Sequence, residues 1–307
     1  MGGSGGGDYF SGKTESLIKQ LRQSEVRTRS AGFDASVNEY LSGLLVAYNK
    51  RDAEAINRHL GEIKRAFEKE LSGTVDLGFG GSVAKHTYVD GISDIDSLVF
   101  LDDCELADAN PSDVKDYFAD QLIARFPRSE VTEGRLAVTI AFDDAEIQLL
   151  PAVSCENHVK IPNAEGDGWS KIRPEEFGRI LSKTNEENGG KVVPVIKLAK
   201  ALIATLPDQQ QLSGYHVESL AVEAFKSYQG PKDPKSMLSH LFTESATRVL
   251  RPITDPTGQS RHVDDYLGVE DSGRRKSISD ALSRITRKMR VADSSSSIDE
   301  WRALFGD

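Results

Sequence analysis

"GFGGSVAKHTYVDGISDIDSLVFL", residues 78–101, decides how this chain is read. It contains a small-residue turn, Gly80-Gly81-Ser82, and, twelve residues after Ser82, the pair Asp94 and Asp96 with Ile95 between them. "TVDLGF" and "DIDSLVFL" are strand candidates, and "SVAKHT" is a short helical stretch. On a strand alternate side chains share a face, so Asp94 and Asp96 point one way while Ile95 enters the core. Two carboxylates held together repel unless a cation joins them, and such hard oxygen ligands suit Mg²⁺ or Mn²⁺. Glycines admit a bulky anion close to the backbone, and free N–H groups at a helix start attract phosphate. The two halves together imply attack of a hydroxyl on the α-phosphate of a nucleoside triphosphate, with metal ions stabilising the attacking and leaving oxygens. A calcium loop opening at Asp90 does not fit, because Ile92 and Leu101 would take its third and twelfth positions and cannot ligate the ion.

The rest of the chain sets the frame. Its 307 residues allow one large domain or two lobes with a sizeable core. With 38% hydrophobic and 28% charged residues and no apolar run near the ~20 needed to span a bilayer, it reads as a globular protein with no membrane partner. Residues 1–13 form a Gly-rich leader without the features of a secretory signal. Two scattered cysteines, Cys104 and Cys155, exclude a disulfide framework and a structural zinc site and point to a reducing, cytoplasmic setting. The net charge of −10 argues against broad binding to nucleic acid, which rests on Lys and Arg neutralising phosphates.

Helical periodicity covers 14–72, gives way to strands and one helix over "PSDVKDYFADQLIARF", and returns after residue 170. "LAVTIAF" and "EIQLLPAV" form a hairpin across Asp143-Asp144. The expected division is therefore 14–170 for opening helices and an α/β core, and 171–307 for a helical lobe. The opening helices can pack on either lobe. His86, His216 and His262 lack metal-ligand spacing and read as structural. The basic run "RRKSISDALSRITRKMR" reads as a solvated helix face rather than a site for an activating nucleic acid.

The turn, the gap and the Asp-x-Asp pair resemble the signature of the DNA polymerase β-like nucleotidyltransferases. Within that superfamily "GGSVAKHTYVDGISDID" is most similar to the bacterial CD-NTases, relatives of cyclic GMP-AMP synthase and oligoadenylate synthase. "VVPVIKLAKAL" resembles the family's lysine-bearing helix, "LSGYHVESLAVEAF" its base-stacking helix, and "ITDPTGQSRHVDDYLG" its late Asp-Pro segment, so the likeness runs over roughly residues 75–268. The resemblance implies an α+β fold: a mixed sheet flanked by helices, a C-terminal helical lobe, and an active site in the cleft. It implies that Gly81 and Ser82 hold the triphosphate, that Asp94 and Asp96 are catalytic and bind the metal, and that Lys197 or Lys200 touches phosphate. Ser213 and Tyr215 would bind the donor nucleotide, the Tyr215 ring lying under a base. The third carboxylate departs from the family's pattern. Gln148 stands where an Asp is usual and is grouped with the substrate-binding residues, while Glu146, two residues earlier on the same strand face, is the substitute expected to come nearer the metal. The implied activity joins nucleoside triphosphates into a cyclic di- or oligonucleotide for anti-phage signalling, read by a downstream effector. A linear nucleotidyltransferase acting on RNA, protein or a small molecule, and a catalytically silent nucleotide sensor, are the alternatives.

Overall fold

The computed structural model describes residue 19 and residues 30–50, 53–69, 73–90, 95–163, 168–257 and 261–307; the Gly-rich leader and Asp94 lie outside these. The described residues form a seven-stranded mixed sheet with helices on one face and a helical lobe beside it. The strands β1 (Gly73–Phe79), β2 (Ile95–Cys104), β3 (Glu130–Glu133), β4 (Val138–Ala141) and β5 (Glu146–Cys155) lie in the order β1-β2-β5-β4-β3. β2 and β5 run parallel; the β1–β2, β4–β5 and β3–β4 pairs are antiparallel. β6 (His158–Pro162) and β7 (Trp169–Ile172) extend the sheet from the far end of β5.

Alternation along β2 divides its side chains between two faces. Ile95, Val99 and Leu101 are buried in a cluster with Ile63 and Phe67 of α2 (Ala53–Glu68) and Val114, Phe118 and Leu122 of α4 (Pro111–Arg125). Asp96, Leu98 and Phe100 therefore take the opposite face. That face meets the second lobe, built from α5 (Pro174–Glu187), α6 (Val192–Ala204), α7 (Gly214–Phe225), α8 (Pro234–Arg248), α9 (Gly273–Ser295) and α10 (Ile298–Phe305). The core of this lobe also takes Val37 and Leu41 from the first helix, α1, described over 30–47. The opening helices thus divide: α1 joins the helical cluster and α2 the sheet. Tyr40 on α1 donates to Asp307 at 2.6 Å, and Lys235 on α8 pairs with Asp34 at 2.6 Å, tying α1 to α8 and to the C-terminal residue.

Deep in the helical lobe His216 of α7 is fully buried, with Nδ1 2.9 Å from the Tyr266 hydroxyl and Nε2 3.7 Å from the Asp264 carboxylate. Burial, with Arg275 and Arg248 adding to it and Asp264 opposing, pulls its pKa from 6.5 to about 4. The unfolded chain therefore binds this proton more readily than the folded one. The stability contributed by neutral His216 is complete above about pH 6.5 and is lost as pH falls toward about 4, by roughly 3 kcal/mol. Urea unfolding across that window should show the loss, and His216→Gln should flatten it.

Candidate active site

The turn after β1 is held on the edge of β2 by one backbone bond, Gly80 N–H donating to Asp96 O at 2.8 Å. The following single helical turn, α3 (Gly81–Ala84), starts with Gly81 at φ +46°, a conformation in which glycine carries no steric cost. A side chain there is excluded as well by space, since a Cβ on Gly81 would stand 1.6 Å from Asp96 Oδ2. The Ser82 N–H points at the same carboxylate, 3.4 Å from Oδ2. Ser82 Oγ is buried and has no hydrogen-bond partner among the described residues. A buried hydroxyl in that state costs free energy unless something absent from the protein itself completes it.

Turn and carboxylate open onto a cavity of about 350 Å³ between the lobes. Gly81, Ser82, Lys85 and Asp96 line it from the sheet side, and Lys200, Gly214, Tyr215 and Glu218 from the helical side. α6 is apolar nearly all round, so Lys200 is carried into the interior and needs a counter-charge. It finds one in Glu218 of α7, 2.9 Å from its Nζ, and donates also to the Thr87 carbonyl at 3.1 Å. Lys85 and the Thr87 hydroxyl donate to the same carboxylate. Burial lowers the Lys200 pKa from its ordinary value, and Glu218 opposes this only in part. Burial alone would raise the Glu218 carboxyl; the Lys85 and Lys200 ammonium groups outweigh it and hold the carboxyl below its usual range.

Tyr215 is the second residue of α7, whose N-cap, Ser213, accepts at its hydroxyl from His216 N–H at 3.3 Å. The Tyr215 ring packs edge-on against Phe177, centroids 4.7 Å apart, and its hydroxyl donates to Asp255 at 3.0 Å. Burial, then Asp255, raises its pKa, so the phenol stays protonated and its orientation is fixed at both ends. A second cavity of about 1000 Å³, walled by β1, β2, β6 and α5, shares Gly81, Lys85 and Tyr215 with the first.

These features agree with the family that matches the sequence, described as "Second Messenger Oligonucleotide or Dinucleotide Synthetase domain" over residues 35–185. The fold agrees over a larger span. The structure of Escherichia coli MS115-1 CdnC with ATP aligns with a TM-score of 0.64 at 16% identity, covering 83% of this chain and 92% of that one. Bradyrhizobium diazoefficiens CdnG in complex with GTP gives 0.67 at 15% identity over 89% and 96% of the two chains. Vibrio cholerae DncV, a cyclic AMP-GMP synthase, gives 0.62 at 17% identity over 96% and 91%. No curated protein matches the chain by sequence.

The residues expected from the sequence are distributed unevenly. Gly81, Ser82 and Asp96 stand together, and Lys200 and Tyr215 face them across the cavity. Lys197, one turn before Lys200, goes elsewhere, its ammonium donating to Asn49 Oδ1 at the end of α1. Ser213 is exposed beside the cavity wall, its N–H 3.2 Å from the Tyr266 hydroxyl, and acts as a cap. The parallel register pairs Asp96 with Gln148, while Glu146 is exposed and pairs with Ala141. Gln148, and not Glu146, thus stands at the position beside Asp96. Lys85, Thr87 and Glu218 went unrecognised in the sequence. Only their convergence identifies them, and Lys85 and Glu218 are 133 residues apart.

The donors on the cavity floor are hard oxygens suited to a divalent cation. Among the described residues no three His, Cys, Asp or Glu groups form a metal site by themselves. Asp96, with the Asp94 carboxylate known from the sequence, is the donor set that would suit such an ion. None of the described helices is long and apolar enough to cross a membrane.

Proposed function

We propose that this protein is a nucleotidyltransferase that condenses nucleoside triphosphates into a cyclic di- or oligonucleotide signal. The observation that carries the reading is the buried Ser82 hydroxyl, without a hydrogen-bond partner among the described residues, set between an amide-lined turn and the Asp96 carboxylate, with Lys200 and Tyr215 facing it from the other lobe. Gly81 and Ser82 take the triphosphate, Lys200 its charge, and the fixed Tyr215 ring the base. A ribose hydroxyl oxygen of the acceptor forms the new bond to the α-phosphorus, the α–β phosphoanhydride bond breaks, pyrophosphate leaves, and the hydroxyl proton passes to solvent. Mg²⁺ or Mn²⁺ held by Asp94 and Asp96 would supply charge neutralisation on the phosphates. Fixing the acceptor hydroxyl beside the donor phosphate in a cleft raises its effective molarity. In the cell this reading places the protein in the cytoplasm, with anti-phage signalling through an effector that binds the product.

Incubation with labelled nucleoside triphosphates and Mg²⁺ or Mn²⁺ tests it. A phosphatase-resistant product from the wild type, reduced at least ~100-fold by Asp96→Asn, is the expected result. Labelled RNA or labelled protein would instead establish a linear transferase. The position of Gln148 beside Asp96 favours one second reading, a nucleotide sensor without turnover. In that case the wild type binds ATP without releasing pyrophosphate, and Gln148→Asp restores release.

A further inference from the structure

Glu218 is a carboxylate on which both lobes converge beneath the turn. Its side chain is 1% exposed, and it accepts from Lys85 and Thr87 on the sheet side and from Lys200 on α6. Oε1 takes Thr87 and Lys200 and Oε2 takes Lys85, the acceptor-only pattern of an ionised group. Two ammonium groups against one carboxylate leave one positive charge in this cluster, which faces the Asp96 carboxylate in the same cavity. The excess lies at the cavity wall, since Lys85, Lys200 and Glu218 all line the space onto which Ser82 opens.

A purely structural role accounts poorly for this arrangement. Buried ion clusters are generally matched or exceeded in stability by apolar side chains of the same volume. Two lysines sharing one acceptor also repel each other. The arrangement gains a purpose when an anion occupies the cavity. Lys85 adds a second constraint, because its Nζ lies 5.2 Å from the Phe177 ring centroid and 5.3 Å from that of Tyr215. One carboxylate thereby sets where both ammonium groups stand and holds Lys85 against the ring that faces the base.

We propose that Glu218 is a positioning residue that fixes Lys85 and Lys200 as a preformed cationic pair for the triphosphate of the bound nucleotide. This rests on the nucleotidyltransferase reading. The pair acts on phosphate charge and not on the base, so removing Glu218 should separate ligands by their phosphates. A merely structural residue would weaken all ligands alike.

The test measures binding of ATP and of adenosine to the full chain by calorimetry, in EDTA so that no metal contributes. Glu218→Gln, which keeps shape and removes charge, is expected to weaken ATP at least ~10-fold and adenosine less than ~2-fold, with Glu218→Asp recovering part of the loss. Lys85→Met should weaken ATP similarly, and Glu218→Gln added to Lys85→Met should cost less than it does alone, because the two changes act through one contact. Should Glu218→Gln fail to fold, Lys85→Met carries the same ATP-against-adenosine comparison. Equal ATP affinity in wild type and variant, or equal loss for ATP and adenosine, overturns the proposal and leaves the nucleotidyltransferase reading standing. A wild type that binds neither ligand in EDTA overturns the proposal, and one that still binds no ATP once Mg²⁺ is restored overturns the nucleotidyltransferase reading as well.

Discussion

Gly81→Ala is expected to lower product formation by roughly two orders of magnitude while leaving the fold intact. The added Cβ would sit 1.6 Å from Asp96 Oδ2 and 2.4 Å from its Cγ, so the carboxylate must rotate or the turn must move. Rotation alone does not suffice, because the added Cβ would also stand 2.9 Å from Asp96 Cβ, whose place the strand sets. Asp96 sits on a strand paired on both sides, and Gly80 N–H is bonded to the Asp96 carbonyl. The positive φ adds a cost of about 1 kcal/mol for any residue with a Cβ. A displacement of about 1 Å between phosphate turn and carboxylate is enough for a loss of this size. Pyrophosphate release under saturating nucleotide measures it, and circular dichroism with urea unfolding serves as the fold control. Activity within ~3-fold of wild type would show that turn and carboxylate do not act together.

The largest stability effect is expected at Arg275, which does not line the cleft cavity. This side chain is fully buried near the start of α9. Its Nη1 donates to Asp264 Oδ2 at 2.6 Å and to the Val249 carbonyl at 3.0 Å, and its Nε to the Gly268 carbonyl at 3.0 Å. Arg275→Met keeps much of the volume but leaves Asp264, also fully buried, without its cation. Breaking a buried pair in this way costs about 3–5 kcal/mol. The urea midpoint should fall accordingly, and the double change Arg275→Met with Asp264→Leu should recover part of the loss, since the orphaned charge is removed. The consequence reaches the site. Asp264 accepts from Ile253 N–H at 3.0 Å and so anchors the segment that carries Asp255, the partner of the Tyr215 hydroxyl. A loss below ~1 kcal/mol in the single variant would mean that the cluster is solvated and does not hold that segment.

Much of the architecture was legible before the structure. The hairpin across Asp143-Asp144, the helix from Pro111, and the helices of the second lobe all fall where periodicity and start signals put them. Three strands were not legible. β3, "EVTE", is mostly exposed, and β6 and β7 are half-buried short segments without a clean alternation of apolar and polar residues. Their pairing with neighbours defines them, and local preference is too weak to announce it.

The amino-acid sequence by itself determined the local chemistry: a small-residue turn that follows a strand, and a second strand that sends Ile95 inward and Asp96 outward. Each follows from interactions within a few residues, where period and backbone geometry suffice. The tertiary structure alone decided that Lys200 enters the cleft while Lys197 turns to Asn49, that Gln148 rather than Glu146 lies beside Asp96, and that Glu218 gathers Lys85, Thr87 and Lys200. The physical reason is that a helix or strand fixes only the relative directions of its own side chains. The partner each one meets is set by strand register and by how the two lobes pack.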